Sequence, residues 1–85
     1  MTRPSPDVIG RRLDDRFVVV NLRTNRIYEL NRTAAALWEL LEAETDLSDL
    51  VPAIVERFDA DADDVQREVD DTLRTLADAG LVTAA

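Results

Sequence analysis

The sequence has no cysteine, no histidine and no lysine, and only two glycines among its 85 residues. Each absence removes a class of chemistry. Without cysteine there is neither a disulfide frame nor a thiolate metal site. Without histidine, cysteine or lysine the usual nucleophile-and-base pairs cannot be assembled. The serines, Ser5 and Ser48, fall in a loop and a helix cap. Gly10 and Gly80 cannot make a glycine-rich phosphate loop. The expectation is a protein that is not an enzyme and takes no cofactor.

Long apolar runs are missing as well. The longest is Ala34 to Trp38, far short of a membrane span. With Met1 at its start and no apolar run of signal-peptide length, the chain is expected to be cytoplasmic, with no membrane partner. Aromatic residues number four: Phe17, Tyr28, Trp38 and Phe58. The core must therefore be built mainly from Leu, Val, Ile and Ala. The length allows one domain, residues 1–85, with a small core.

Positive charge is scarce. Ten arginines face eighteen carboxylates, for a net charge of −8. This argues against nucleic acid, whose phosphates are held by clustered Lys and Arg. Some of the carboxylates mimic a metal site. Asp59, Asp61 and Asp63 alternate like the first half of an EF-hand loop. The sixth place, which needs glycine, is Asp64, and the twelfth is Asp70 rather than Glu. These aspartates are better placed to cap and charge the start of a helix, and no metal site is expected.

What is present follows a clear order. Residues 1–6, with two prolines, are expected to form a flexible arm. Val8 to Leu13 is a weak strand, because Gly10 lowers its propensity and Arg11–Arg12 break its alternation. Asp14-Asp15-Arg16 is a turn. Phe17 to Leu22 is a strong strand, and its three consecutive valines place it centrally. Arg23-Thr24-Asn25 turns the chain, with Asn25 as the left-handed residue. Arg26 to Leu30 returns as a third strand, Ile27 and Glu29 on one face, Tyr28 and Leu30 on the other.

Asn31 is an N-cap. Ala34, Leu37, Trp38 and Leu41 then share one face of a first helix, which ends near Glu44-Thr45-Asp46. A second helix begins around Ser48 or Asp49, since Pro52 is tolerable only in its first turn. Leu50, Val51, Ile54, Val55 and Phe58 are its buried stripe. Asp61 caps a third helix with the seam Val65, Val69, Leu73 and Leu76. Gly80 stops it, and Leu81 packs back on the last turn. The layout is α+β: a three-stranded antiparallel sheet followed by three helices (βββααα), in a winged-helix-like arrangement.

A winged helix normally suggests DNA binding by the third helix. Here that helix carries Asp63, Asp64, Glu68, Asp70, Asp71 and Asp78 against only Arg67 and Arg74. A winged-helix transcription factor is therefore the disfavoured alternative. Strand addition suits the residues better. The third strand has no proline or lysine to guard its edge, so a peptide can pair with Arg26, Ile27, Tyr28, Glu29 and Leu30. Side-chain selection would come from the groove beside the third helix. Candidates there are Val65, Glu68, Val69, Thr72, Leu73 and Leu76. Of these, Leu76 is more a core residue than a rim residue. An open edge also allows self-pairing, so a monomer or weak dimer is expected.

The stretches FVVVNLRTNRIYELN, TAAALWELL and VQREVDDTLRTLADAGLV resemble those of the PqqD-like proteins, the RiPP recognition elements. The resemblance runs from Phe17 through Leu41 and again from Leu73 to Val82. It implies the three-stranded, three-helix fold. It also implies binding of a precursor's leader peptide as a fourth strand, beside the third strand and against the third helix. The chain resembles free-standing members that work with a transglutaminase-like leader peptidase in lasso-peptide biosynthesis. The alternative is a PqqD-type peptide chaperone for a radical SAM or other modifying enzyme. That type resembles this chain less, because Glu44-Thr45-Asp46 stands where Cys-Asp-Gly is expected.

Overall fold

The computed structural model describes residues 2–84. In chain order the elements are β1 (Thr2–Pro4), β2 (Val8–Leu13), β3 (Arg16–Asn21), β4 (Arg26–Leu30), α1 (Arg32–Glu42), α2 (Leu47–Phe58), α3 (Ala62–Asp78) and β5 (Val82–Ala84). The main sheet is antiparallel in the order β2-β3-β4, and the three helices follow it. The α+β, winged-helix-like layout read from the sequence is the one observed.

The centre strand owes its place to its side chains. Phe17, Val19 and Asn21 are buried on its inner face, while Val18 and Val20 are half-covered on the outer one. β2 is paired along its whole length despite Gly10 and the two arginines, from Val8 opposite Asn21 to Leu13 opposite Arg16. Gly10 in fact faces the core: a Cβ there would lie 2.5 Å from Trp38 Nε1. The hairpin to β4 keeps Phe17 opposite Leu30 and Asn21 opposite Arg26.

That hairpin turns one residue earlier than expected. The Asn21 side-chain oxygen accepts the Arg23 N–H at 3.0 Å, and its carbonyl accepts the Asn25 N–H at 2.8 Å. A buried Asn thus starts the turn, and Leu22 falls outside the strand. Asn25 is left-handed, with φ 60°.

α1 and α3 start, and α2 and α3 stop, at residues with a local reason to do so. Asn31 Oδ1 accepts the Ala34 N–H at 2.8 Å and so caps α1. Asp61 Oδ2 accepts the Asp64 N–H at 3.2 Å and caps α3. Asp59 sits left-handed at the end of α2, φ 50°. The alternating aspartates therefore serve as helix punctuation. Gly80, φ 72°, closes α3. Its N–H bonds Ala77 O at 3.0 Å and the Leu81 N–H bonds Leu76 O at 2.9 Å, a Schellman ending with Leu81 buried.

Two expectations need correction. α2 begins at Leu47, so Pro52 lies beyond its first turn. Pro52 is exposed there, and the helix tolerates the missing N–H on its solvent side. The expected arm is also partly ordered. Thr2–Pro4 pairs antiparallel with Val82–Ala84. The Ser5 N–H bonds Leu81 O, and Ser5 Oγ bonds Gly80 O, both at 2.9 Å. A three-residue edge strand accommodates Pro4, and the pairing covers buried Val82. Met1, also assigned to the arm, lies outside the described residues.

One core joins these layers. Trp38, Leu37 and Leu41 of α1 meet Phe17 and Val19 of the sheet, Leu50 and Ile54 of α2, and Val65, Val69 and Leu76 of α3.

Candidate functional site

β4 is an edge strand of the main sheet. Its alternation holds: Tyr28 and Leu30 are half-buried on the inner face, and Ile27 is 69% exposed on the outer. The Ile27 side chain thus faces away from the helices.

At the Leu30 end of this edge, β4, α1 and α3 enclose a groove of about 230 Å³. Glu29 and Leu30 form one wall, Asn31 and Ala34 the floor, and Thr72 with Leu76 the far wall. Asp71 and Thr75 complete that wall. The volume suits one large side chain and is below that of a typical small-molecule pocket. The groove exists because Ala34 is small, and because threonines rather than larger residues occupy successive turns of α3.

The candidate residues read from the sequence divide into four groups. Glu29, Leu30, Thr72 and Leu76 meet at the groove. Arg26, Ile27 and Tyr28 continue the edge away from it. Val65 and Val69 are only 3% exposed and belong to the core, so their side chains are not groove walls. Glu68 is exposed nearer the start of α3, and Leu73 is half-buried against the core. The α3 seam, read as one stripe, mixes two roles: its early residues Val65 and Val69 belong to the core, and its later part lines the groove with Glu29 and Leu30.

Asn31, Ala34 and Thr75 line the groove as well, beyond the residues the sequence points to. The available signal was positional. A strand running directly into an N-cap must bring the first helical turn beside the strand's end, which puts Asn31 and Ala34 at the same junction.

The groove rim is acidic. Asp71 is exposed and pairs with Arg74 at 3.5 Å, and Glu29 lies 4.0 Å from Arg16 on the outer face. Among the described residues, no group of side chains has the arrangement to hold a metal ion. Among the same residues, no helix is long and apolar enough to cross a membrane.

Fold and site together define a class: a small winged-helix-like α+β domain with an unpaired sheet edge beside a groove the size of one side chain. The family model described as coenzyme PQQ synthesis protein D (PqqD) matches residues 16–82, and the chain belongs to the PqqD family. Two solved structures share its fold. One is TbiB1 in complex with the TbiA(beta) leader peptide: TM-score 0.89, 29% identity, covering 98% of this chain and 96% of that one. The other is lasso peptide synthetase B1 complexed with the leader peptide: TM-score 0.86, 19% identity, covering 98% of both chains. A comparison with curated proteins found no match.

Proposed function

We propose that this protein is a non-catalytic adaptor that binds the leader peptide of a ribosomally made precursor by strand addition along β4. The observation that carries the reading is the unpaired β4 edge ending at a side-chain-sized groove against α3. Backbone pairing along Arg26–Leu30 supplies affinity, and the groove lined by Leu30, Ala34, Thr72 and Leu76 supplies choice. The likeness to TbiB1, whose structure holds a leader peptide, supports the same assignment, and the resemblance of the sequence to free-standing lasso-peptide members makes a lasso-peptide precursor the preferred guest.

The missing chemistry is the adaptor's partner's to supply. A chain without His, Cys or Lys does not cleave a peptide by the usual nucleophiles; it holds the leader and raises its concentration at a partner leader peptidase. The assembly belongs in the cytoplasm, where precursor peptides are made. The adaptor acts as a monomer or weak dimer.

The test uses leader peptides of candidate precursors drawn from the genes surrounding this one. Titration should shift and protect β4 amides, together with groove resonances at Ala34, Thr72 and Thr75. Single prolines at Ile27, Tyr28 and Glu29 should abolish binding wherever the N–H points away from β3, with the fold retained. Thr72→Arg should weaken binding roughly five- to thirtyfold by filling the groove. Wild-type affinity in all of these folded variants would place the site elsewhere. Leader cleavage by the purified chain alone would overturn the adaptor role.

A further inference from the structure

A second pocket, of about 190 Å³, lies across the Leu30–Asn31 junction from the groove. Its character is opposite. Arg12 of β2, Arg32 of α1 and Arg57 of α2 converge on it over a floor that includes Phe17 and Phe58. The Arg12 guanidinium stands 5.4 Å from the Phe17 ring centre, and those of Arg32 and Arg57 stand 5.3 and 5.7 Å from that of Phe58. The aromatic faces hold three cationic heads in place.

Their charge is not balanced locally. One oxygen of Glu39 serves both Arg12, at 3.2 Å, and Arg57, at 3.7 Å. Asp15 also lines the pocket, yet neither it nor Arg32 makes an ion pair among the described residues. Arg32 opens α1, whose first turn has no acidic residue, whereas α2 has Asp49 and α3 has Asp63 and Asp64 there. Asn31 Oδ1 satisfies only the Ala34 N–H, so the first N–H groups of α1 add to the positive potential. In a chain of net charge −8, three of ten arginines are gathered at one pocket.

We propose that this pocket seats a carboxylate side chain of the guest peptide, an Asp or Glu in the segment that continues past Leu30. The proposal rests on strand addition at β4. Leu30 and Asn31 line both pockets, so a guest leaving the edge at that end passes directly onto Arg32. The pocket holds one side chain, and guanidinium forks match a carboxylate bidentately. The far wall of the groove carries Asp71 instead. The guest would therefore be acidic at the Leu30 end and tolerate basic residues beside α3. That polarity fixes its direction along an edge whose backbone pairing alone does not.

The experiment is a selection from displayed random peptides of about 16 residues, long enough to pair with a five-residue strand and overhang both ends. The bait is the full chain or its Arg32→Glu variant. Glu suits the first turn of a helix, so the variant should fold. Peptides that protect β4 amides should carry Asp or Glu at a fixed spacing from the paired segment. Arg32→Glu should weaken them about tenfold or more. Exchanging that acidic residue for Arg in the peptide should restore binding to the variant and weaken it for the parent chain. Peptides that protect β4 but show no acidic position, or that bind both chains equally, would overturn the carboxylate pocket while leaving strand addition intact. Selected peptides that leave β4 unprotected, or a selection yielding no binder, would overturn both.

Discussion

Gly10 and Trp38 fix how closely the sheet approaches the first helix. The indole is fully buried, and its Nε1–H finds no acceptor among the described residues. A Cβ at position 10 would stand 2.5 Å from Nε1, 3.0 Å from Cδ1 and 3.1 Å from Phe17 Cε1. These are ring atoms locked in the core, so neither neighbour can swing aside. Gly10→Ala gains a little strand propensity and loses more to overpacking. Its expected cost is about 1–2 kcal/mol. Chemical denaturation followed by the fluorescence of the single tryptophan reads this as a lower midpoint with an unchanged slope. A midpoint at or above that of the parent chain would mean that the contact is slack. The sequence made Trp38 legible as core by its helical spacing, but Gly10 only as a weak spot in a strand. The reason for the glycine is a contact across 28 positions of sequence, which no local pattern carries.

At the scale of elements, what was legible tracks what is local. The N-caps Asn31 and Asp61, the left-handed Asn25 and the Gly80 stop are decided by neighbours within a few residues, and all stand as read. The β1–β5 pairing joins the two ends of the chain, so a three-residue strand with a proline gave no periodic signal. The groove was half-legible: the strand edge follows from order and alternation, whereas the division of α3 into core and groove turns depends on the tilt of the helix. The end of α1 shows one local compromise. Glu44 is left-handed, φ 60°, with its N–H on Leu41 O and the Thr45 N–H on Leu40 O, the ending that α3 makes with Gly80. A residue with a Cβ is strained there, and Glu44 is exposed. Glu44→Gly should therefore stabilise the fold by about 0.5–1 kcal/mol, after the entropy glycine adds to the unfolded chain. Thermal unfolding would register a Tm higher by roughly 2–8 °C. A lower Tm would show that the left-handed position is not under strain.

For the whole molecule, charge decides between two uses of one shape. The winged-helix outline would present α3 to a DNA groove, and α3 carries six carboxylates against two arginines. Those arginines are already engaged: Arg67 pairs with Asp64, and Arg74 with Asp71 at 3.5 Å. Neither is free to release counterions from a duplex, which is where most non-specific affinity for DNA originates. The place where Arg12, Arg32 and Arg57 converge is a pocket the size of a single side chain, too small to track a phosphate backbone. The protein should show no retention of a duplex in a gel-shift assay at physiological salt with micromolar protein. Lowering the salt extends the range of repulsion from the −8 chain and should not rescue binding. Removing carboxylates from α3, as in Asp63→Asn with Asp64→Asn and Asp71→Asn, should release its arginines and bring in weak binding that fades steeply as salt is added. Micromolar retention of DNA by the unaltered chain at physiological salt would instead mean that a surface other than α3 meets the phosphates, and the transcription-factor reading would have to be reopened.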